Sequence, residues 1–389
     1  MTAPYPRFSD AEMARRHAAL EAVMAEHDLD HVLVRGADRT GTAVGWLTRW
    51  PVTREAAVVV TPGRPDVLLV GFYNHVPNAA RIATECEVRP IGERWVESAL
   101  DELARRGGRG SRIGVIGSLD HRAHAAVAEF AGGLVDLSRD YVRLRLVKSA
   151  EELDWIRRAA ELTDAGVRAL RDAAVPGTDE HALANAIERA YVGAGATTHI
   201  HYLVATPMDD PSICVPAQYP SARRLRSGDA LVCEVSASLW EYPGQLLRTF
   251  AVGAGPTDLY AELHAVADAA FDAICARLAP GATAADIVDA ARVIDDAGFT
   301  IRDDLVHGFV GGYLPPVLGT RGRSLAPVPD FAFAAGMTVV VQPNVVTPDE
   351  RAGVQTGELV LVGDHGAERL HSFERGLLAT DRTAARMPS

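Results

Sequence analysis

Residues 228–253, GDALVCEVSASLWEYPGQLLRTFAVG, carry side chains that could bind a metal ion or transfer a proton. Two apolar runs flank a turn, which predicts a β-hairpin. Glu234 and Gln245 fall on its inner face, where a pair of acids could bind a metal ion. A carboxylate is a good ligand for a hard cation, whereas a neutral amide is a weak one. The hairpin is therefore typical of a metal site from which ligands are missing.

Histidines are the second possible source of chemistry. His307 lies in VHGF, while His199 and His201 alternate in THIHYL and would share one face of a strand, either towards a pocket or towards solvent. The ordinary pKa of histidine, near 6.5, suits proton transfer at neutral pH. Four further histidines lie in polar, turn-like or helical contexts and are predicted at the surface: His121, His124, His365 and His371.

The composition excludes several classes of protein. The net charge is −12 and the pI about 5.5, and such an acidic surface argues against binding to nucleic acid or to anionic membranes. The four cysteines are scattered without a CxxC motif, so neither a disulfide framework nor a zinc finger is predicted. The sequence shows no apolar signal segment and no apolar run of about twenty residues. We therefore expect a soluble cytoplasmic protein.

The elements that must position these residues fall into two domains. Short apolar runs alternate with helical patterns over residues 1–143, beginning with a helix capped by Ser9, and predict an α/β domain. Ser149 and Glu152 form a capping box that opens a long helix of the second domain, residues 144–389. Two helices are predicted between 257 and 297, and strands fill most of the rest. Helices over a curved antiparallel sheet would suit this half.

Five segments resemble, in order, the blocks of the creatinase/aminopeptidase P/prolidase family: RLVKSAEELDWIRRAAELTDAG, the hairpin of residues 227–253, LVHGFVGGYLPP, AAGMTVVVQPNVV and AGVQTGELVLVGDHG. The resemblance covers nearly the whole chain. It implies the pita-bread fold, an α+β catalytic domain behind a smaller α/β domain. It also implies a homodimer that acts on a small-molecule substrate.

The family's peptidases hold two divalent metals on five side chains, in the order Asp, Asp, His, Glu and Glu. Block by block, these positions fall here on Glu234, Gln245, His307, Gln342 and Gly357. Two positions keep a usable ligand, and one carboxylate cannot neutralise about four buried positive charges. We therefore predict that the chain has no metal and needs no cofactor. A one-residue slip would bring in Glu358, giving ligands for one ion at most.

Creatinase is the family's precedent for activity without metals. Its essential histidine falls here on Ala217, so creatine is not the expected substrate. The main prediction is a metal-independent, creatinase-like hydrolase or lyase that acts on a C–N bond of a small amino-acid-derived molecule. Glu234 and His307 would be its acid/base pair, either of them taking the proton. Two alternatives stay open, a non-catalytic binding protein and a metal-dependent Xaa-Pro peptidase.

Substrate contacts are predicted from the same resemblance. The candidates in the second domain are Gln245, Gln342, His201 and Tyr313, and Arg248 is expected to be structural or to pair with Glu234. The family also has an N-terminal loop that can reach the partner subunit's site, and WLTRWPVTRE resembles it. Three residues of that stretch are either substrate contacts or packing residues: Arg49, Trp50 and Arg54.

Overall fold

The computed structural model describes residues 7–37, 42–324 and 326–380. It divides the chain into two compact units, Met1–Arg145 and Leu146–Ser389. Within the described ranges, no helix is long and apolar enough to cross a bilayer.

The first unit is a six-stranded mixed sheet in the order β4-β3-β2-β1-β5-β6. The buried apolar side chains of its helices and strands pack into two separate clusters. Ser9 caps the first helix as predicted, since its side chain accepts a hydrogen bond from Glu12 N. The helices are α1 Asp10–Glu26, α2 Thr42–Thr48, α3 Val76–Ile82, α4 Trp95–Arg105, α5 His121–Phe130 and α6 Ser138–Leu144, and the strands are β1 His31–Ala37, β2 Glu55–Val60, β3 Val67–Val70, β4 Glu87–Pro90, β5 Arg112–Ile116 and β6 Gly133–Asp136.

The second unit is built on a ten-stranded, mostly antiparallel sheet with the main order β12-β11-β13-β16-β10-β8-β7. Its helices are α7 Ala150–Ala173, α8 Glu180–Tyr191, α9 Asp258–Arg277, α10 Ala284–Ala290 and α11 Val293–Asp296. Its strands are β7 Thr197–Pro207, β8 Asp229–Leu239, β9 Tyr242–Pro243, β10 Leu246–Val252, β11 Val306–Phe309, β12 Tyr313–Leu318, β13 Thr338–Val341, β14 Asn344–Val346, β15 Gly353–Gln355, β16 Gly357–Val362, β17 Ala367–Arg369 and β18 Leu378–Thr380.

Burial explains why the central strands are so apolar. Every residue of β8 and β10 is buried, and the apolar side chains of these strands pack with α7 and α8 in one cluster and with α9 and α10 in another. By contrast, β12 lies at the edge of the described sheet, and its side chains alternate between exposed and buried.

The local signals give the helix starts correctly. Ser149 and Glu152 form the predicted capping box, each side chain accepting from the other residue's backbone N–H. Between 257 and 297 the structure has three helices where the periodicity predicts two, because α10 and α11 are separate short helices.

Candidate functional site

The predicted hairpin places Glu234 and Gln245 side by side. Glu234 lies on β8, and Gln245 immediately precedes β10, which pairs antiparallel with β8. Gln245 Nε2 donates a hydrogen bond of 2.5 Å to Glu234 Oε1. Both side chains are nearly inaccessible, at 7% and 1% relative exposure. The two positions that the sequence singled out therefore form one buried pair.

His307 lies on β11 with an aromatic ring on either side. Tyr313, on β12, stacks on the imidazole with ring centroids 3.8 Å apart, and Phe309 meets it edge-on at 5.5 Å. His307 is fully buried, whereas Tyr313 is 54% exposed. Tyr313 therefore forms part of an exposed rim above the buried histidine.

Gln342 completes the set predicted from the resemblance. It follows β13, and its Nε2 lies 3.3 Å from both the backbone oxygen and Oδ1 of Asp304. It is 1% exposed and lies close enough to His307 to act on the pKa of that ring. The structure thus brings Gln342 and His307 together.

Two acids outside the predicted set, Asp303 and Asp304, lie in the loop before β11. Asn344 holds this loop: its Oδ1 accepts from the backbone N–H groups of Arg302 and Asp303 at 2.8 Å, and its Nδ2 donates to the backbone oxygen of Asp304 at 2.9 Å. The signal available was the pair of aspartates directly before the strand that carries His307.

These acids and Glu234 act on one another electrostatically. Burial raises the pKa of Glu234 to about 8, and the negative charges of Asp303 and Asp304 add to the shift. Burial and the charge of Asp303 raise the pKa of Asp304 to about 7. At neutral pH Glu234 is therefore mostly protonated, and the cluster holds fewer negative charges than its composition suggests.

The pKa of His307 is shifted in the opposite direction, downwards. Burial lowers its pKa to about 4, so the ring is neutral at pH 7. Its Nδ1 lies 3.1 Å from the carbonyl oxygen of Gly308, which can only accept, so the proton is on Nδ1 and Nε2 presents a lone pair. Among the described residues, no hydrogen bond joins His307 to Glu234.

His201 does not belong to this group. A β-bulge between Thr198 and Ile200 breaks the alternation that would put His199 and His201 on one face. His201 Nε2 lies 2.7 Å from the hydroxyl of Tyr191 on α8, whereas His199 meets the ring of Phe309 edge-on. His201 is therefore held by Tyr191, and its contact with substrate stays a prediction, while His199 lies beside Phe309.

The three residues predicted from the N-terminal loop differ in burial: Arg49 and Trp50 are buried, and Arg54 is exposed. Trp50 is 4% exposed and packs in an apolar cluster of the first unit, and Arg49 is buried in ion pairs with Asp10 and Glu85. Both side chains are buried within this chain, and their predicted contact with substrate stays a prediction. Arg54 is exposed, so its predicted role stays a prediction.

The side chains present do not fit the family's pair of metals. A Cβ at Gly357 would lie 2.4 Å from Val341 O, so a ligating side chain there requires the backbone to move. Glu358 cannot replace it, because its carboxylate is bound by Arg248 at 2.8 Å and by Arg369. Arg248 thus pairs with Glu358 and not with Glu234. Across residues 7–37, 42–324 and 326–380, no three His, Cys, Asp or Glu side chains form a group able to hold a metal.

The arrangement is suited to binding a small polar molecule. The base offers a protonated carboxyl at Glu234, a lone pair at His307, and two amides at Gln245 and Gln342. Solvent reaches the cluster at Tyr313 and the half-buried aspartates. Ligand sites usually set a few polar groups among apolar and aromatic side chains, and here the rings of Phe309 and Tyr313 contact His307.

Comparison with known proteins agrees with this fold. The model of metallopeptidase family M24 matches residues 154–364, more than half of the 389-residue chain. The Xaa-Pro dipeptidase of Pyrococcus furiosus is 25% identical over 236 residues, 60% of this chain and 66% of that protein. The probable dipeptidase PepE of Mycobacterium tuberculosis is 28% identical over 263 residues, 65% of this chain and 66% of that protein. The match therefore spans slightly less than two thirds of either relative.

Among solved structures, the Xaa-Pro dipeptidase from Bacillus anthracis has a TM-score of 0.80 and 18% identity, over 94% of this chain and 99% of that one. The likeness confirms the predicted fold class. The predicted activity, a metal-independent creatinase-like hydrolase or lyase, is wrong: the matched model is that of a metallopeptidase family, and these relatives are named as dipeptidases. Their names agree with the alternative, a peptidase.

Proposed function

Because the chain belongs to metallopeptidase family M24, we propose that it is a hydrolase that cleaves the peptide bond of short peptides, such as Xaa-Pro dipeptides. The observation that supports this proposal is the buried polar cluster at the base of a solvent-accessible site. Glu234 can donate to a peptide carbonyl, while His307 Nε2 and the side-chain oxygens of Gln245 and Gln342 can accept from N–H groups. These residues would bind and orient the peptide.

The test is proline release from Ala-Pro, Gly-Pro and Leu-Pro, followed by mass spectrometry. The protein is assayed as purified, after chelation, and after incubation with Mn²⁺, Co²⁺ or Zn²⁺, with its metal content measured in parallel. We expect Glu234→Ala, which removes the donor, and His307→Ala, which removes an acceptor, to reduce turnover by roughly 100-fold or more while remaining folded. The exposed residue His365 supplies the control, His365→Ala. The proposal fails if no condition releases proline.

A second candidate is a protein that binds such peptides without cleaving them. The poor fit of the family's metals favours it, since Gly357 has no space for a ligating side chain and Gln245 and Gln342 are weak ligands. In that case the dipeptides raise the melting temperature although no proline is released. The two measurements together separate the candidates.

Several expectations from the sequence stay predictions. They include a homodimer, a cytoplasmic location, and the contacts of Arg54, Trp50 and His201 with substrate. The first is checked by light scattering of the purified chain, and the third by the KM of Arg54→Ala.

A further inference from the structure

Both ring nitrogens of His17, a half-buried residue of α1, face oxygens that accept hydrogen bonds. Nδ1 lies 2.8 Å from the backbone oxygen of Met13, one helical turn earlier. Nε2 lies 2.8 Å from Oδ2 of Asp66, the residue directly before β3. A carbonyl oxygen and an ionised carboxylate can only accept, so each ring nitrogen has to carry a proton. The geometry is therefore that of the imidazolium cation.

A neutral ring cannot keep both contacts. It carries one proton, so one of its nitrogens would turn a lone pair towards an oxygen. The hydrogen bond to Met13 or the one to Asp66 is then lost, and the contact with Asp66 is no longer an ion pair. The Asp66 side chain is only 6% exposed, so water cannot readily replace the donor that it loses.

The charges around His17 favour the protonated ring. The hydrogen bond from His17 to the Asp66 carboxylate raises the pKa of His17 above its ordinary value, and burial opposes that rise. The hydrogen bond to Met13 and the negative charges of Asp66 and Glu85 raise the pKa further. Glu21, one turn further along α1, is exposed to solvent. The folded chain therefore binds this proton more tightly than the unfolded chain does.

A second link joins α1 to the segment that contains Glu85, between α3 and β4. Arg49 lies 3.1 Å from Asp10, the first residue of α1, and 2.6 Å from Glu85. An arginine side chain stays charged at all pH values near neutrality. Burial raises the pKa of the neighbouring Cys86 thiol, which is therefore uncharged over the same range. Of Arg49, Cys86 and His17, only His17 changes its charge near neutral pH.

We propose that His17 and Asp66 form a pH-sensitive link, made while His17 is protonated, that joins the N-terminal half of α1 to the start of β3. The stabilisation by this link is fully present below pH 6.5, the ordinary pKa of histidine, and is lost as pH rises through the higher pKa of the folded state. The attachment of α1 therefore weakens on the alkaline side of neutrality. This link lies in the first unit and does not depend on the proposed function.

Polar contacts join the N-terminal half of α1 to other elements of the first unit. Besides the link of His17, Asp10 pairs with Arg49, and Arg16 Nη1 donates to the backbone oxygen of Trp46 at 2.9 Å. The residues of α1 that belong to the apolar cluster shared with α2 all lie in its C-terminal half: Leu20, Val23 and Met24. Loss of the His17 link should therefore appear as local opening of residues 10–19 and not as unfolding of the whole unit.

The experiment is hydrogen exchange of the full chain, read by mass spectrometry on peptides from residues 10–19, at about pH 6 and about pH 9 and corrected for the intrinsic effect of pH. His17→Gln and Asp66→Asn are compared with wild type, and the control is His124→Gln, at an exposed position on α5. At about pH 6 we expect each variant to lower the protection of α1 by roughly tenfold, the usual effect of losing a hydrogen bond to a charged group. At about pH 9 the wild type should have lost this protection and should match the variants.

Two results of the exchange experiment overturn the proposal. One is equal protection of α1 in wild type and variants at about pH 6, and the other is a difference of the same size at both pH values, which would mean packing alone. A second measurement needs no variant, because the ring ¹⁵N chemical shifts of His17, assigned through the backbone, report which nitrogens carry protons. We expect His17 to be mostly protonated on both nitrogens at pH 6.5 and to lose one proton as pH rises. A ring that is mostly neutral at that pH overturns the proposal even if the variants fail to fold.

Discussion

Replacing Glu358 by glutamine tests whether this carboxylate is structural, as its contacts indicate, or an alternative metal ligand. Glu358 and Arg248 are both fully buried, with Arg248 Nη2 at 2.8 Å from Glu358 Oε2. Arg369 Nη2 donates to the same oxygen at 2.9 Å, and its Nε donates to Oε1. Burial alone would raise the pKa of Glu358, but these arginines hold that pKa below its ordinary value.

The magnitude follows from what the substitution leaves behind. Gln has one acceptor oxygen, so its NH₂ group must face a guanidinium donor, and the charge of Arg248 loses its buried partner. Breaking a buried pair in this way costs about 3–5 kcal/mol. In a unit of this size that lowers the melting temperature by roughly 6–20 °C.

Thermal unfolding followed by circular dichroism measures this shift, with and without Mn²⁺. The control is Glu368→Gln, at an exposed position near Arg369, for which we expect a change within about 0.5 kcal/mol. A Glu358→Gln protein that melts at the wild-type temperature would refute the structural role. A loss that appears only in the presence of metal would make Glu358 a ligand.

Two further predictions concern neighbouring features. Gly357→Ala should destabilise by about 1–3 kcal/mol, because its Cβ would lie 2.4 Å from Val341 O, whereas Gly255→Ala has open space; equal melting temperatures would contradict the metal-fit argument. Asp164 accepts four hydrogen bonds from residues 371–373, which outweigh burial and lower its pKa below 3.8. The stabilisation by Asp164 is therefore present above pH 3.8 and is lost as pH falls through the lower folded pKa. The free energy of unfolding in urea should be lower for Asp164→Asn than for wild type at pH 7, and the two should converge in acid. The exposed variant Asp154→Asn should stay near wild type at both pH values.

Local and short-range signals were sufficient for most of the fold. The capping box at Ser149 and the strand pair around Glu234 depend on residues close in sequence, so pattern and spacing are enough to place them. Bringing His307 and Gln342 to the same site needed the ordered blocks of the resemblance, because those contacts cross between strands far apart in the chain.

The incorrect predictions concern features that no periodic pattern in the sequence indicates. The bulge beside His199 separates it from His201, and alternation cannot reveal a bulge. Asp303 and Asp304 are placed by a loop clamped by Asn344, a tertiary contact. His371, predicted at the surface, is 5% exposed because Asp164 binds its Nδ1 at 2.7 Å.

The edge strand β12 has a consequence for solubility. Pro315 and Pro316 both lack a backbone N–H. They lie where the pairing of β12 with β11 is irregular, between Leu314, opposite Gly308, and Val317, opposite His307, so this part of the strand offers no regular ladder of donors to a strand of another molecule. The tandem prolines thus protect this edge of the described sheet against strand-by-strand aggregation, in the same strand that carries Tyr313.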